Sequence, residues 1–180
     1  MGFFLLSGAA LALPAHADAP SLSVPPSYVV TLTGYNAVPA QTDDNPFVTA
    51  SGMYANAEII AARSQDLAEE LPFGTIIEIK TPVSGDSCGY DVVKSMVGYR
   101  IIADTMNARY NDRVDILFNI KSNYVMADGS VKNASAVLGM CSGVTVRAIG
   151  HIDLAHSGKL PKTQAELAAI VKGNNPLALK

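Results

Sequence analysis

Two aspartates, Asp104 and Asp115, are placed where carboxyl groups could do acid–base chemistry. Asp104 directly follows an apolar run that ends at Ala103. Asp115 lies between Val114 and Ile116. Since alternate residues of a strand face opposite sides, Asp115 faces a groove or solvent if Val114 and Ile116 face the core. The intervening loop could bring both carboxyl groups to one end of a sheet. Two close carboxyl groups, or one in a dry pocket, can hold a proton near neutral pH, as a general acid must.

The same aspartates also have a purely structural interpretation. An aspartate after a strand often caps a turn, and Arg109 and Arg113 could form surface ion pairs. Spacing alone leaves both interpretations open.

A second polar stretch contains hydroxyl, amide and carboxyl groups, which suit the hydroxyls of sugars. It spans residues 34–52 and reads GYNAVPAQTDDNPFVTASG. Its candidate substrate-binding residues are Thr42, Asp43, Thr49, Ser51 and Gly52. Such loops also form ordinary turns, so this interpretation depends on what surrounds them.

Metal and nucleotide chemistry find little support in the sequence. His151, Asp153 and His156 are possible metal ligands, but their spacing matches no known helical pair such as HExxH. The chain lacks the GxSxG, GxGxxG and GxxxxGK[ST] patterns. We therefore predict no metal site and no cofactor.

Six short β-type runs separate the polar stretches and would have to position them. Each is rich in Val, Ile, Thr or Tyr and is bounded by turn residues, which is typical of strands. The runs are Tyr28–Leu32, Glu58–Ala62, Thr75–Lys80, Tyr99–Ala103, Val114–Asn119 and Val144–Ile149. This pattern predicts a mainly β protein, either a small barrel or a sandwich.

Helical signals are few. One is the short segment Asn133–Leu138. The other is Gln164–Lys172, which follows a capping box of Thr163 and Glu166 and precedes a terminating Gly173. We expect both helices to be peripheral.

The composition of the 180 residues excludes several protein classes. Hydrophobic residues make up 49% and charged residues 16%, which excludes a largely disordered chain. The 13 Lys and Arg against 16 Asp and Glu give a net charge of −3, which leaves no cationic surplus for nucleic acid. The length suits one domain of common size.

Residues 1–17 have the features of a signal peptide. An apolar run ends at Leu13, helix-breaking Pro14 follows, and small residues at Ala15 and Ala17 predict cleavage after Ala17. The run is too short to cross a membrane, which takes about 20 residues. We therefore expect an exported protein, secreted or in the periplasm or cell wall, with no membrane attachment after cleavage.

Cys88 and Cys141 are the only cysteines. Two cysteines of an exported protein often pair, which would close a long loop. The sequence does not show whether these two meet.

Four motifs occur in order between Val29 and Ile149. They read GYNAVPAQTDDNPFVTASG, LPFGT, ADTMNARYNDRVDILF and AVLGMCSGVTVRAI. Together they resemble the 3D (three-aspartate) domain family, which is similar to the catalytic core of murein lytic transglycosylase A. The resemblance implies a six-stranded double-psi β-barrel with short peripheral helices. Its domain would span residues 28–156, after a flexible lead-in at 18–27 and before a C-terminal helix and tail at 157–180.

The resemblance also implies a reaction on peptidoglycan strands that needs neither metal nor cofactor. One carboxylic acid protonates the β-1,4 glycosidic oxygen between N-acetylmuramic acid and N-acetylglucosamine. The resulting carboxylate then takes the proton of the muramic C6 hydroxyl, and a 1,6-anhydro ring closes. The family's three aspartates would fall on Asp43, Asp104 and Asp115. Asp104 would be the acid and base, Asp115 would tune its pKa and contact sugar, and Asp43, Thr49 and Ser51 would line the glycan groove.

Two other functions remain open at this level. Double-psi barrels also serve as non-catalytic, expansin-like modules that bind cell-wall glycans. A structural or inhibitor-type exported protein could use the barrel only as a scaffold. The sequence does not indicate the oligomeric state.

Overall fold

The computed structural model describes residues 24–42, 45–82, 88–155 and 160–173. The predicted signal peptide, most of the predicted lead-in, Asp43, His156 and the C-terminal tail lie outside the described residues. None of the helices in the described ranges has the length and apolar character that crossing a bilayer demands.

Most of the described chain belongs to strands or to the loops that join them. The strands are β1 (Ser27–Asn36), β2 (Ile60–Arg63), β3 (Thr75–Ile79), β4 (Tyr99–Thr105), β5 (Arg113–Phe118), β6 (Asn123–Val125), β7 (Val131–Asn133) and β8 (Cys141–His151). All except β6 and β7 close into one barrel, in the order β1-β5-β2-β4-β3-β8. Strands β6 and β7 form a separate hairpin.

The barrel mixes parallel and antiparallel pairs. The pairs β1–β5 and β2–β4 are parallel, and the other barrel pairs are antiparallel. Parallel neighbours need crossover connections, so the chain passes repeatedly from one side of the barrel to the other. The strand pattern predicted a mainly β protein, either a barrel or a sandwich, and the structure is a closed barrel of six strands, consistent with the double-psi fold that the family resemblance implied. Each of the six predicted runs overlaps one barrel strand.

The barrel strands bury apolar side chains on both faces. One cluster includes Leu32, Val114 and Val146. The other includes Tyr35 and Leu117. Strands that are covered on both faces carry few polar positions, so a carboxyl group on such a strand requires a local explanation.

In the described ranges, three α-helices flank the barrel: α1 (Tyr90–Val97), α2 (Ala134–Leu138) and α3 (Gln164–Val171). Helices α2 and α3 occur where the sequence predicted them. The Thr163 hydroxyl accepts a hydrogen bond from the Glu166 backbone N–H, as the predicted capping box requires. Leu167 and Ile170 of α3 join the second apolar cluster, so this helix packs against the barrel.

A disulfide joins Cys88 to Cys141 and ties the segment before α1 to the start of β8. The two residues are 53 positions apart in sequence, and their Cα atoms are 5.3 Å apart. A loop of this length contributes about 4 kcal/mol on the chain-entropy account. The possible pairing noted from the sequence is thus present in the structure.

Candidate active site

A groove of about 760 Å³ opens where β1, β2, β4 and β5 meet the loop residues 40–42, 46–55 and 106–110. Both Asp104 and Asp115 line this groove. The fold therefore brings the two carboxyl groups to the same groove, as their spacing in the sequence allowed. Cavities of this size hold small ligands or a few sugar rings.

The two aspartates lie on either side of one residue of β2. Ala62 pairs with Asp104 of β4 on one edge and with Asp115 of β5 on the other. Two strand spacings place the backbones of the aspartates about 10 Å apart. Because the Ala62 side chain is a single methyl group, the groove floor between the two carboxyl groups stays open.

A bulge in β4 sets the position of Asp104. Ala61 pairs with Ile102, but Ala62 pairs with Asp104, so Ala103 is an extra residue in β4. The Ala103 carbonyl accepts a hydrogen bond from the backbone N–H of Ser51 at 3.1 Å, which attaches the groove wall to the bulge. Bulges re-aim side chains and are common beside active sites.

Asp104 is held by three hydrogen bonds. The backbone N–H groups of Ala50 and Thr105 both donate to its Oδ1, each at 2.9 Å. The Tyr35 hydroxyl donates to its Oδ2 at 2.8 Å. None of the ion pairs in the described part of the chain includes Asp104. Three donors aimed at one carboxyl group match an ionised carboxylate, which only accepts.

Tyr35 stays a hydrogen-bond donor in this arrangement. Its side chain is buried, and burial raises its pKa well above the ordinary value; the neighbouring Asp104 charge adds to that shift. The phenol therefore keeps its proton and fixes the orientation of the Asp104 carboxylate.

Asp115 has the opposite surroundings. Its flanking residues Val114 and Ile116 are fully buried, as the alternation in the sequence predicted. Burial raises the pKa of Asp115 to about 6, and the Asp104 charge adds to the shift, while Thr33 and Arg113 act against it. Its Oδ1 is buried without a hydrogen-bond partner among the described residues. A carboxyl group in such a site can hold a proton near neutral pH.

The predicted substrate-binding loop contributes some, but not all, of its residues to the groove. Thr42 and Thr49 line it, and the Thr49 hydroxyl lies 3.1 Å from that of Ser51. Ser51 and Gly52 are absent from the described groove lining. They form the turn behind Thr49, where the Gly52 N–H donates to the Thr49 carbonyl and Gly52 adopts a φ of +84°. Asp43 lies outside the described residues.

Sequence reasoning missed several residues that line the groove. Tyr35, Ala62 and Tyr110 were not proposed as site residues, and Arg109 was considered only as an ion-pair partner. Tyr35 lies in the GYNAV motif, but nothing local indicates that its hydroxyl contacts a residue 69 positions away.

No three His, Cys, Asp or Glu side chains within the described ranges come together as metal ligands would. No family model matches this chain, and no curated protein sequence matches it either. The groove itself is therefore the main indication of function.

Proposed function

We propose that this protein is an exported lytic transglycosylase that cleaves the β-1,4 bond between N-acetylmuramic acid and N-acetylglucosamine. The observation that carries the proposal is the pairing of two unlike carboxyl groups across the floor of one groove. Asp115 is desolvated, with a pKa of about 6. Asp104 is held by three donors. The resemblance to the three-aspartate family supports the choice of substrate.

Asp115 is the acid in this proposal. With a pKa of about 6, roughly a tenth of the molecules carry its proton at pH 7. An unpartnered buried oxygen costs less on a neutral carboxyl group than on a carboxylate, so the site favours the protonated form. Asp115 donates this proton to the glycosidic oxygen as the bond from that oxygen to muramic C1 breaks.

The same residue then acts as base. The Asp115 carboxylate takes the proton of the muramic C6 hydroxyl, whose oxygen bonds to C1 and closes the 1,6-anhydro ring. Asp115 is thereby reprotonated, and no water is consumed. One carboxyl group completes the cycle, in contrast to hydrolases that need two reacting carboxyl groups.

Asp104 supports this chemistry without transferring a proton. Its charge raises the pKa of Asp115, so it helps that residue to keep its proton. The same charge stabilises the positive charge that develops at C1 as the glycosidic bond breaks. The family resemblance implied the opposite assignment, with Asp104 as acid and base and Asp115 as the residue that tunes its pKa. We reverse it because Asp104 is the carboxylate held by donors and Asp115 is the desolvated carboxyl group.

The test is product analysis on purified sacculi. The purified protein is expected to release muropeptides that end in 1,6-anhydro sugar and are one water lighter than hydrolysis products by mass spectrometry. Asp91→Asn is the matched control for the groove variant Asp115→Asn, since Asp91 is exposed in the first turn of α1 and outside the groove lining. It should release the same products. Release of reducing-end products would instead indicate hydrolysis and contradict the proposal.

A second candidate function is non-catalytic binding of cell-wall glycan. Phe47 and Tyr54 are 57% and 69% exposed on the loop that forms one groove wall. The Val48–Tyr54 bridge holds this loop together, and exposed aromatic rings can stack on sugars without proton transfer. Sedimentation with sacculi, without soluble products at any pH, would favour this function.

A further inference from the structure

One side of the groove carries two arginines around a tyrosine. The guanidinium carbon of Arg109 lies 4.7 Å from the ring centre of Tyr110, and that of Arg113 lies 4.6 Å from the same ring. The Arg109 Nη2 also donates to the Tyr110 hydroxyl at 2.7 Å. Cation–π contacts of this kind hold a guanidinium in place at modest energy. Arg109 and Tyr110 both line the groove.

Arg109 has unused capacity to bind an anion. It is exposed, and no ion pair within the described ranges involves it. A guanidinium has five N–H donors, and only the bond to Tyr110 uses one of them here. A planar, pre-positioned guanidinium beside a ligand groove suits bidentate binding of a carboxylate.

The backbone also fixes where Arg109 lies. The Asn107 side chain accepts a hydrogen bond from the Arg109 N–H at 3.1 Å, and the Tyr110 N–H donates to the Asn107 carbonyl at 3.0 Å. This turn directly follows the strand that carries Asp104. Arg109 and the two floor carboxyl groups line the same groove, so one bound glycan can contact all three.

We infer that Arg109 binds a carboxylate on the substituent of the muramic ring, so that the groove selects acidic glycans over neutral ones. This inference rests on the proposed function, which places a glycan in the groove. Two groups of the substrate can supply this carboxylate. It is either the lactyl group of a bare strand or an acidic residue of an attached peptide stem.

The test measures binding of three tetrasaccharides of alternating N-acetylglucosamine and N-acetylmuramic acid by calorimetry, in the Asp115→Asn background to prevent turnover. The first carries free lactyl carboxylates, the second carries lactyl amides, and the third carries acidic dipeptide stems. We expect the first or the third to bind roughly ten-fold more tightly than the neutral second. The tighter of the two identifies the source of the carboxylate.

The variants assign the selectivity to one residue. Arg109→Gln should lower affinity for the preferred acidic saccharide roughly ten-fold and leave affinity for the amide unchanged. Arg109→Lys should fall between, since an ammonium keeps the charge but not the fork of donors. Arg147→Gln is the matched control, because Arg147 lies on β8, pairs with Glu78 and is outside the groove lining. It should leave all three affinities unchanged.

Each other result overturns the inference in a recognisable way. Equal affinities of the chain for all three saccharides would refute the selection of acidic glycans and leave the proposed transglycosylase untouched. The same loss with Arg109→Gln for the amide and the acid would show a general effect on the groove and refute carboxylate recognition. If none of the three saccharides binds, the proposed function and this inference are refuted together.

Discussion

The surroundings of Asp104 and Asp115 differ more than their positions do. Both aspartates pair with Ala62, one on each side, and both line the same groove. Asp104 receives hydrogen bonds from two backbone N–H groups and from Tyr35. Asp115 keeps one buried oxygen without a partner. The same side chain is thus prepared for two different tasks.

This difference shows what decides the behaviour of a carboxyl group on a barrel strand. The strand register places both aspartates opposite Ala62, because β4 and β5 each pair directly with β2. Protonation depends on how deeply each group is buried and on the donors that surround it, and these differ between the two aspartates. Asp104 lies at the bulged end of β4, within reach of the loop that carries Ala50. Asp115 lies within β5, between two fully buried neighbours.

The largest expected effect is on turnover. Asp115→Asn should lower the rate of anhydromuropeptide release about 100- to 10,000-fold, because it removes the one group that both donates and accepts a proton in the proposed mechanism. Asp104→Asn should cost less, since the amide oxygen can still accept from Ala50 and Thr105. Initial rates on sacculi measure both variants. A larger loss for Asp104→Asn would reverse the comparison and support the roles that the family resemblance implied.

The second effect is on the pH dependence of stability. The folded chain holds the Asp115 proton up to pH 6, whereas the unfolded chain loses it near 3.8. The stability that this proton contributes is present below pH 4 and is lost as the pH rises through 6, and two pKa units amount to about 3 kcal/mol. Between pH 4 and pH 7, the free energy of unfolding of the unmodified chain should therefore fall by about this amount relative to that of Asp115→Asn.

Urea unfolding of both proteins at several pH values measures this difference. Subtracting one curve from the other removes the contribution of the titrating groups that do not interact with Asp115. Parallel curves would show that Asp115 has an ordinary pKa in the folded chain. The contrast with Asp104 would then disappear.

The third effect concerns the hydroxyl that orients Asp104. Tyr35→Phe removes one donor from its carboxylate and should lower the free energy of unfolding by about 1 kcal/mol, since groove water can replace part of the lost bond. Tyr54→Phe is the matched control, because its ring is exposed and should tolerate the change. Equal urea midpoints for the two variants would mean that Tyr35 does not hold Asp104.

The smallest effect is a shift in the pH profile. The Asp104 charge contributes to the raised pKa of Asp115, but less than burial does. Removing that charge should lower the pKa of Asp115. The pH at which the residual activity of Asp104→Asn falls on the alkaline side should therefore move to a lower value. An alkaline limb that moves to higher pH would show that the two groups are not coupled as proposed.

The sequence predicted the six barrel strands well because strands leave a strong local signal. In β5, the alternation of Val114, Asp115 and Ile116 indicated which side chain would face away from the core. The structure confirms that arrangement. The capping residues of α3 were visible for the same reason, since Thr163 and Glu166 lie only three positions apart.

Two elements that the sequence analysis missed did leave signals. Helix α1 buries Tyr90, Val93 and Val97, which have the spacing of one helical face. The β6–β7 hairpin turns around Asp128 and Gly129, a pair of residues that often forms tight turns. Both elements lie near the cysteines, in segments that the family resemblance did not explain.

The contrast between the two aspartates could not be predicted from the sequence. The donors to Asp104 include Ala50, 54 positions away, and Tyr35, 69 positions away. Only the closed barrel brings them together. The sequence therefore indicated two aspartates that line the groove, but the choice between their proposed roles depends on contacts over long separations.

The position of Ala62 has a consequence for how such a groove could diversify. Hydrogen-bonded ladders on both of its edges fix the gap between the two acidic residues, so that gap belongs to the barrel rather than to the loops. Thr49 and Arg109, in contrast, lie on the loops that form the walls. If the groove acts as proposed, loop substitutions would exchange one polysaccharide preference for another and leave the spacing of the two carboxyl groups intact, so that specificity and chemistry would evolve on separate parts of the chain.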